Sequence, residues 1–218
     1  MKIIPSILVK TKDEFINQVN SVSSEVDQIQ LDIADGNFVK TKTWADPKVV
    51  KDSGNINIEL HLMVEHPLQE IKKWTHVPQI TRILFHFESS DNIENVIESI
   101  HANNWEASIV LNPGTKLSKI EPYLDSLEGL MFMGVEPGSQ GQKFIPETID
   151  RIKEFKMKQS VHFVELDGGV NEGTLPEIIS SGVDAVCPGS AIFGGDKKPE
   201  ENIEKMREII SSASQPDK

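Results

Sequence analysis

The sequence predicts an α/β protein: a single-domain (β/α)8 TIM barrel spanning residues 1–218. Short apolar runs alternate with segments in which apolar residues recur at helical spacing. Strands that alternate with helices usually form parallel βαβ units, and eight such units in 218 residues indicate a compact barrel. No linker rich in Pro, Gly or Ser divides the chain, so we expect one domain.

The repeating units can be assigned in order. The strand candidates are residues 3–8, 28–33, 56–64, 82–87, 106–111, 129–135, 161–167 and 183–189. Apolar residues at helical spacing occupy 15–22, 93–100, 145–152 and 203–210. An open doubly wound sheet would alternate in the same way. The first strand is not followed by the glycine-rich dinucleotide fingerprint that would favour such a sheet.

Composition limits the classes of partner. The chain carries 22 basic and 34 acidic residues, a net charge of −12, which argues against nucleic acids and anionic membranes. The first apolar run is broken by Pro5 and is too short for a signal peptide or a membrane span. Cys187 is the single cysteine, so an internal disulfide is excluded. These features fit a cytoplasmic protein.

Polar side chains stand where the predicted strands end. Seven of the eight strand ends carry a polar residue: Ser6, Asp32, His61, His86, Asn112, Asp167 and the Gly189–Ser190 pair, whereas Met133 ends the sixth strand. The carboxyl ends of barrel strands form the functional face, so we expect these groups to meet at one mouth. Gln30 and Asp32 share one face of the second strand because strand side chains alternate.

Three glycine-bearing turns follow the last three strands. Residues 167–171 (DGGVN) and 188–194 (PGSAIFG) follow strands seven and eight, where barrels commonly bind phosphate through backbone N–H groups. Residues 136–144 (EPGSQGQKF) follow strand six and could close over the same anion. The alternative for each is an ordinary tight turn.

Taken together, the motifs resemble the ribulose-phosphate 3-epimerase family in the right order over nearly the whole chain. The matching segments are PSIL (5–8), LDIADGNFV (31–39), LHLMVEHP (60–67), FHFES (85–89), LNPGT (111–115), MGVEPGSQGQKF (133–144), ELDGGVN (165–171) and PGSAIFG (188–194). The resemblance implies a barrel enzyme that inverts C3 of a ketopentose phosphate, using a divalent metal and two aspartates.

The resemblance also implies roles for individual residues. Asp32 and Asp167 would be the two acid/base residues and, with His61, metal ligands. The substrate would be bound by Ser6, His61, Gly138, Ser139, Gln140, Gly141, Gly168, Gly169, Gly189 and Ser190, with Met63 and Met133 around the reacting carbons. The chemistry suits these residue types, because inverting a carbon beside a ketone needs two proton-transfer groups and a cation can stabilise the enediolate.

Several positions depart from the family pattern. Gln30 stands where the family usually has a histidine that binds the metal, so Gln30 is a doubtful fourth ligand. An amide oxygen is harder and weaker than imidazole, which predicts weaker Zn binding and a shift towards Mn or Mg, with Fe also open. Ala34 replaces a methionine, and Lys40 and Lys42 are introduced near the mouth. The remaining departures are Glu136, Ser139 and Gln140.

The sequence therefore predicts an epimerase that converts D-ribulose 5-phosphate to D-xylulose 5-phosphate. Two alternatives remain open here: an epimerase for a related ketose phosphate such as a ketohexose 6-phosphate, and a phosphosugar-binding barrel with impaired catalysis. We also expect a homo-oligomer. Structural or surface roles are expected for His66, His101 and His162, and a core position for Cys187. His86 ends the fourth predicted strand, where both a contact with the site and a structural role are left open.

Overall fold

The structure, a computed structural model, describes residues 1–89, 92–159 and 162–213. Residues 90–91, 160–161 and 214–218 of the predicted domain, including Val161 at the start of the predicted seventh strand, lie outside the described residues. The strands are β1 Lys2–Ile3, β2 Ser6–Ile7, β3 Gln28–Ala34, β4 Asn57–Met63, β5 Ile80–His86, β6 Glu106–Leu111, β7 Gly129–Met133, β8 Phe163–Asp167 and β9 Ala185–Cys187. The α-helices are α1 Lys12–Val22, α2 Pro47–Lys51, α3 Pro67–Trp74, α4 Ile93–His101, α5 Glu147–Lys158, α6 Leu175–Ser180, α7 Ser190–Phe193 and α8 Pro199–Ala213.

The first predicted strand closes the sheet into a barrel. It is split into β1 and β2 at Ile4 and Pro5, since proline has no N–H for a ladder hydrogen bond. β1 pairs in parallel with β9, and β2 pairs in parallel with β3. The Ile4 N–H donates to Val186, and the Gln30 N–H donates to the Pro5 carbonyl. One strand therefore joins both edges, and the predicted (β/α)8 barrel is confirmed.

The helices pack their apolar stripes on the outside of the sheet. Helix α1 begins with a capping box between Thr11 and Glu14, and it buries Phe15 and Val19 against the core. The apolar spacing predicts a helix from Ile145, whereas helix α5 begins at Glu147. Two 3₁₀ turns, Leu117–Lys119 and Glu121–Ser126, stand between β6 and β7. None of the described helices is long and apolar enough to cross a membrane.

Alternation along each strand explains why polar residues lie inside the barrel. On β3, Ile29 and Leu31 face the helices, so Gln30 and Asp32 point to the barrel interior, and all four are buried. The same alternation places polar groups of neighbouring strands in two layers. The upper layer, at the carboxyl ends, contains Asp32, His61, His86 and Asp167; the lower layer contains Glu59, Arg82 and Glu165.

Ion pairs hold the lower layer together. Arg82 Nη1 lies 3.4 Å from Glu59 and also contacts Glu165, while its Nε donates to Glu106 at 2.9 Å. Gln28 donates to the same Glu59 carboxylate at 2.6 Å. Burial raises the pKa of both Glu59 and Glu165, and the Arg82 charge opposes that rise. The lower layer fills the barrel interior next to the upper layer, towards the amino ends of the strands.

Candidate active site

The carboxyl ends of the strands surround a recess whose lining includes every predicted substrate-binding residue. Its lining includes Ser6, Asp32, His61, Met63, Met133, Gly138, Ser139, Gln140, Gly141, Asp167, Gly168, Gly169, Gly189 and Ser190. Cys187 also lines it, and burial raises the pKa of this thiol well above its usual value. Lys40 and Lys42 are exposed and lie outside the lining.

Two aspartates and one histidine form the centre of the recess. His61 Nδ1 lies 3.0 Å from Asp32 Oδ1 and 3.2 Å from Asp167 Oδ2. Ser6 Oγ donates to Asp32 Oδ2 at 2.6 Å. These residues come from β2, β3, β4 and β8, so the closed barrel is what brings them together.

These three side chains have the right chemistry for a divalent cation. One ligand atom from each of Asp32, His61 and Asp167 can be chosen so that all lie within 4.8 Å of one another. Two carboxylate oxygens and one imidazole nitrogen suit Zn, Mn or Fe. The donor set therefore fits the predicted divalent metal.

Gln30 contacts the same cluster, but through its nitrogen. Gln30 Nε2 donates to Asp32 Oδ1 at 2.8 Å and to Asp167 Oδ2 at 2.9 Å, and it lies 3.3 Å from His61 Nδ1. Its Oε1 atom is buried and has no hydrogen-bond partner among the described residues. In this orientation Gln30 bridges the carboxylates, and only rotation of the amide by 180° would present the oxygen as a metal ligand.

The pKa values of the two histidines of the upper layer shift in opposite directions. Burial lowers the pKa of His61, but hydrogen bonds to Asp167 and Asp32 and their negative charges outweigh it and raise that pKa to about 9. Burial lowers the pKa of His86 to about 4, and the nearby His61 charge adds to the effect. Burial and the charge of Asp32 raise the pKa of Asp167, while His61 opposes them.

His86, a strand-end residue to which the sequence alone gives no role, contacts the cluster through His61. Its Nε2 lies 2.9 Å from His61 Nε2, and its Nδ1 lies 2.9 Å from Asn112 Oδ1. The Phe38 ring packs against it, with ring centroids 4.8 Å apart. The available signal was its position at the end of β5, which is equivalent to that of the assigned strand-end residues.

At two glycines in the glycine-bearing turns, a side chain would collide with neighbouring atoms. Gly169 has φ +72°, and a Cβ built on it would lie 2.8 Å from the Phe144 Cα. A Cβ on Gly189 would lie 2.1 Å from the Gln140 amide nitrogen. Gln140 also donates to the Ser6 carbonyl at 3.2 Å, so the loop after β7 reaches across the recess.

Known proteins match this chain over most of its length. A sequence model of the ribulose-phosphate 3 epimerase family matches residues 2–193. The chain belongs to the ribulose-phosphate 3-epimerase family. A ribulose-phosphate 3-epimerase of Mycobacterium bovis is 32% identical, covering 97% of this chain and 94% of that protein. One from Escherichia coli K12 is 31% identical, covering 89% of this chain and 88% of that protein.

Solved structures support the fold of this epimerase-family chain independently. KGPDC from Streptococcus mutans, in complex with D-R5P, superposes with a TM-score of 0.78 at 13% identity, covering 98% of each chain. 3-Hexulose-6-phosphate synthase from Salmonella typhimurium superposes with a TM-score of 0.75 at 13% identity, covering 98% of this chain and all of that one. The predicted family and fold are confirmed, and the protein is an isomerase-class enzyme.

Proposed function

We propose that this enzyme inverts C3 of D-ribulose 5-phosphate to give D-xylulose 5-phosphate. The observation that carries the proposal is the pair of buried carboxylates, Asp32 and Asp167, which both lie near His61 Nδ1 in one recess. The names of the curated relatives favour the pentulose phosphate over a ketohexose 6-phosphate.

Proton transfer is assigned to the two aspartates. One carboxylate removes the C3 proton, and the other delivers a proton to the opposite face, which inverts the carbon. Ser6 and Gln30 donate hydrogen bonds to Asp32, and Gln30 also donates to Asp167, so both carboxylates are held in place. The raised pKa of Asp167 favours its use as the proton donor in one direction of the reaction.

Asp32, His61 and Asp167 would hold a divalent cation, and Gln30 would be a fourth ligand only with its amide rotated. When bound, such an ion stabilises the negative charge that develops on the two oxygens of the enediolate. Zn, Mn, Fe and Mg remain the candidates. Because Gln30 presents its nitrogen to the cluster, three protein ligands are the simplest set for this chain.

The substrate phosphate is assigned to the glycine turns after β8 and β9. Gly168, Gly169, Gly189 and Ser190 line the recess beside the aspartates. Backbone N–H groups at such turns can bind an anion without basic side chains. Gln140 lies against Gly189 and would also contact the phosphate group. Ser6 would contact the sugar, and Met63 and Met133 would pack around its carbons.

The deciding experiment follows the C3 proton. The purified protein is incubated in D₂O with D-ribulose 5-phosphate and Zn, Mn, Fe or Mg, and NMR detects deuterium at C3 together with formation of D-xylulose 5-phosphate. We expect both with at least one metal. A ketohexose 6-phosphate is run in parallel. Exchange only on the hexose, or exchange on neither sugar, would contradict the proposal. A cytoplasmic location and a homo-oligomeric state also stay predictions.

A further inference from the structure

His86 stands directly behind the candidate metal ligand His61. Both imidazole rings are fully buried, and their Nε2 atoms lie 2.9 Å apart. On the other side of its ring, the Nδ1 of His86 lies 2.9 Å from Asn112 Oδ1 and 3.7 Å from Glu88 Oε2. A continuous row of polar contacts therefore runs from the two aspartates through His61 to His86 and Asn112.

The contacts of His86 determine where its hydrogen lies. Two Nε2 atoms at this distance share one hydrogen, because two N–H groups would collide and two lone pairs would repel. The Nδ1 atom of His86 faces oxygen acceptors from Asn112 and Glu88, so it carries a hydrogen. A neutral His86 with Nδ1–H presents its Nε2 lone pair to His61, and His61 Nε2 is then the donor.

This arrangement determines which nitrogen of His61 can bind a cation. With its hydrogen on Nε2, a neutral His61 keeps a lone pair on Nδ1, the atom near Asp32 and Asp167. We propose that His86 is a positioning residue, which accepts the His61 Nε2–H and so fixes the tautomer and ring orientation in which Nδ1 binds the metal. This inference rests on the proposed function.

The surroundings of His86 keep its ring in place. Glu88 accepts from the Asn112 backbone N–H at 3.3 Å and from the Thr115 hydroxyl, so the acceptor side of His86 is itself held. Phe38 covers the ring. Loss of the outer hydrogen-bond partner of a metal-binding histidine typically costs about 10–100-fold in metal affinity or activity.

Two substitutions separate hydrogen bonding from packing. His86→Gln keeps an oxygen that can accept the His61 Nε2–H, whereas His86→Leu keeps volume without an acceptor. The exposed His101→Leu on α4 is the control. With Mn²⁺ as the probe in calorimetry, we expect His86→Leu to lose about 10–100-fold in affinity and His86→Gln to retain most of it. Equal losses in both variants would overturn the proposal, because they would indicate a packing role.

A spectroscopic readout works without turnover and without the variants. In ¹⁵N-histidine-labelled wild-type protein, long-range ¹H–¹⁵N spectra report which ring nitrogens carry hydrogen. We expect Nδ1–H on His86, and with Zn bound, Nε2–H on His61. A hydrogen on His86 Nε2, or a wild-type protein that binds neither Mn nor Zn, would overturn the proposal. If the wild-type protein has no epimerase activity but the Mn²⁺ affinities and the ¹H–¹⁵N spectra are as expected, the proposed function is contradicted and this inference stands.

Discussion

Gln30 Nε2 lies 2.9 Å from the Asp167 carboxylate, although the two residues are 137 positions apart and stand on β3 and β8. The same nitrogen donates to Asp32, so one neutral amide bridges both proposed proton-transfer groups. An amide NH₂ has two hydrogens, so it can donate to both carboxylates and hold them in position. Because it carries no positive charge, it does not neutralise their negative charges. A cation at this place would be held more weakly than in a site whose fourth ligand is a second imidazole.

Replacing Gln30 by histidine should strengthen Zn binding. Imidazole is a softer metal ligand than an amide oxygen. The substitution also removes the buried Gln30 Oε1, which has no hydrogen-bond partner among the described residues. We expect wild-type protein to bind Zn more weakly than Gln30→His and to need added Mn or Mg for full activity. Calorimetry and rate measurements across Zn, Mn and Mg test this.

The control for that comparison is Gln69→His, which adds a histidine on the exposed side of α3. It should leave the affinity for all three metals unchanged. If Gln30→His changes neither affinity nor metal preference, Gln30 has no influence on metal binding, and its contacts with the aspartates serve another purpose.

Asp32→Asn and Asp167→Asn should each abolish epimerisation while the fold stays intact. Removing a general acid or base typically costs about 10²–10⁴-fold in rate, and an amide cannot exchange the C3 proton. Rates are measured in both directions, with circular dichroism to verify folding. Asp46→Asn is a matched control, because this exposed residue caps α2 and asparagine caps equally well. A variant that keeps more than about a tenth of the wild-type rate would not have lost its proton-transfer group.

Gly189→Ala should weaken phosphate binding. The new Cβ would lie 2.1 Å from the Gln140 amide nitrogen, so Gln140 must move and the backbone of the turn becomes covered. Losing one hydrogen bond to a charged group costs about 1.5–3 kcal/mol, so we expect KM and the inhibition constant of inorganic phosphate to rise about tenfold or more.

Gly114→Ala is the matched control for the phosphate site, since a Cβ there meets no atom within 4 Å and the backbone angle suits any residue. Its kinetic constants should match the wild type. A Gly189→Ala enzyme with unchanged affinity for both substrate and inorganic phosphate would contradict the assignment of the anion to this turn.

Arg82→Met should destabilise the barrel strongly. The substitution leaves Glu59 and Glu165 buried without their cationic partner, and breaking a buried ion pair in this way costs about 3–5 kcal/mol. Urea unfolding measures the loss. Lys158→Met removes a cation from an exposed pair with Glu154 and should change the free energy of unfolding little.

The effect of Arg82→Met should grow as the pH rises. Burial holds the pKa of Glu59 and Glu165 above their ordinary value, so these groups contribute stability below the unfolded pKa of about 4.3 and lose it as the pH rises through the folded pKa. Arg82 lowers both pKa values, so its removal extends the loss to higher pH. A destabilisation that is equal at about pH 5 and about pH 7 would contradict this account.

The sequence by itself determined the barrel and most of its mouth. Alternating strands and helices predict the fold, and because strand side chains alternate strictly, Gln30 and Asp32 had to share a face. The rule that barrel strands end at one functional face then predicted that Ser6, His61 and Asp167 would meet there, and the recess contains all of them.

The tertiary structure decided which atoms meet. Periodicity gives the face of a strand, but the choice of hydrogen-bond partner depends on distances across a closed sheet and on which polar atoms burial leaves without water. That is why the bridging nitrogen of Gln30 and the contact between His61 and His86 were not predicted. Closure of the barrel likewise decided which neighbours the two parts of the first strand pair with, β1 with β9 and β2 with β3.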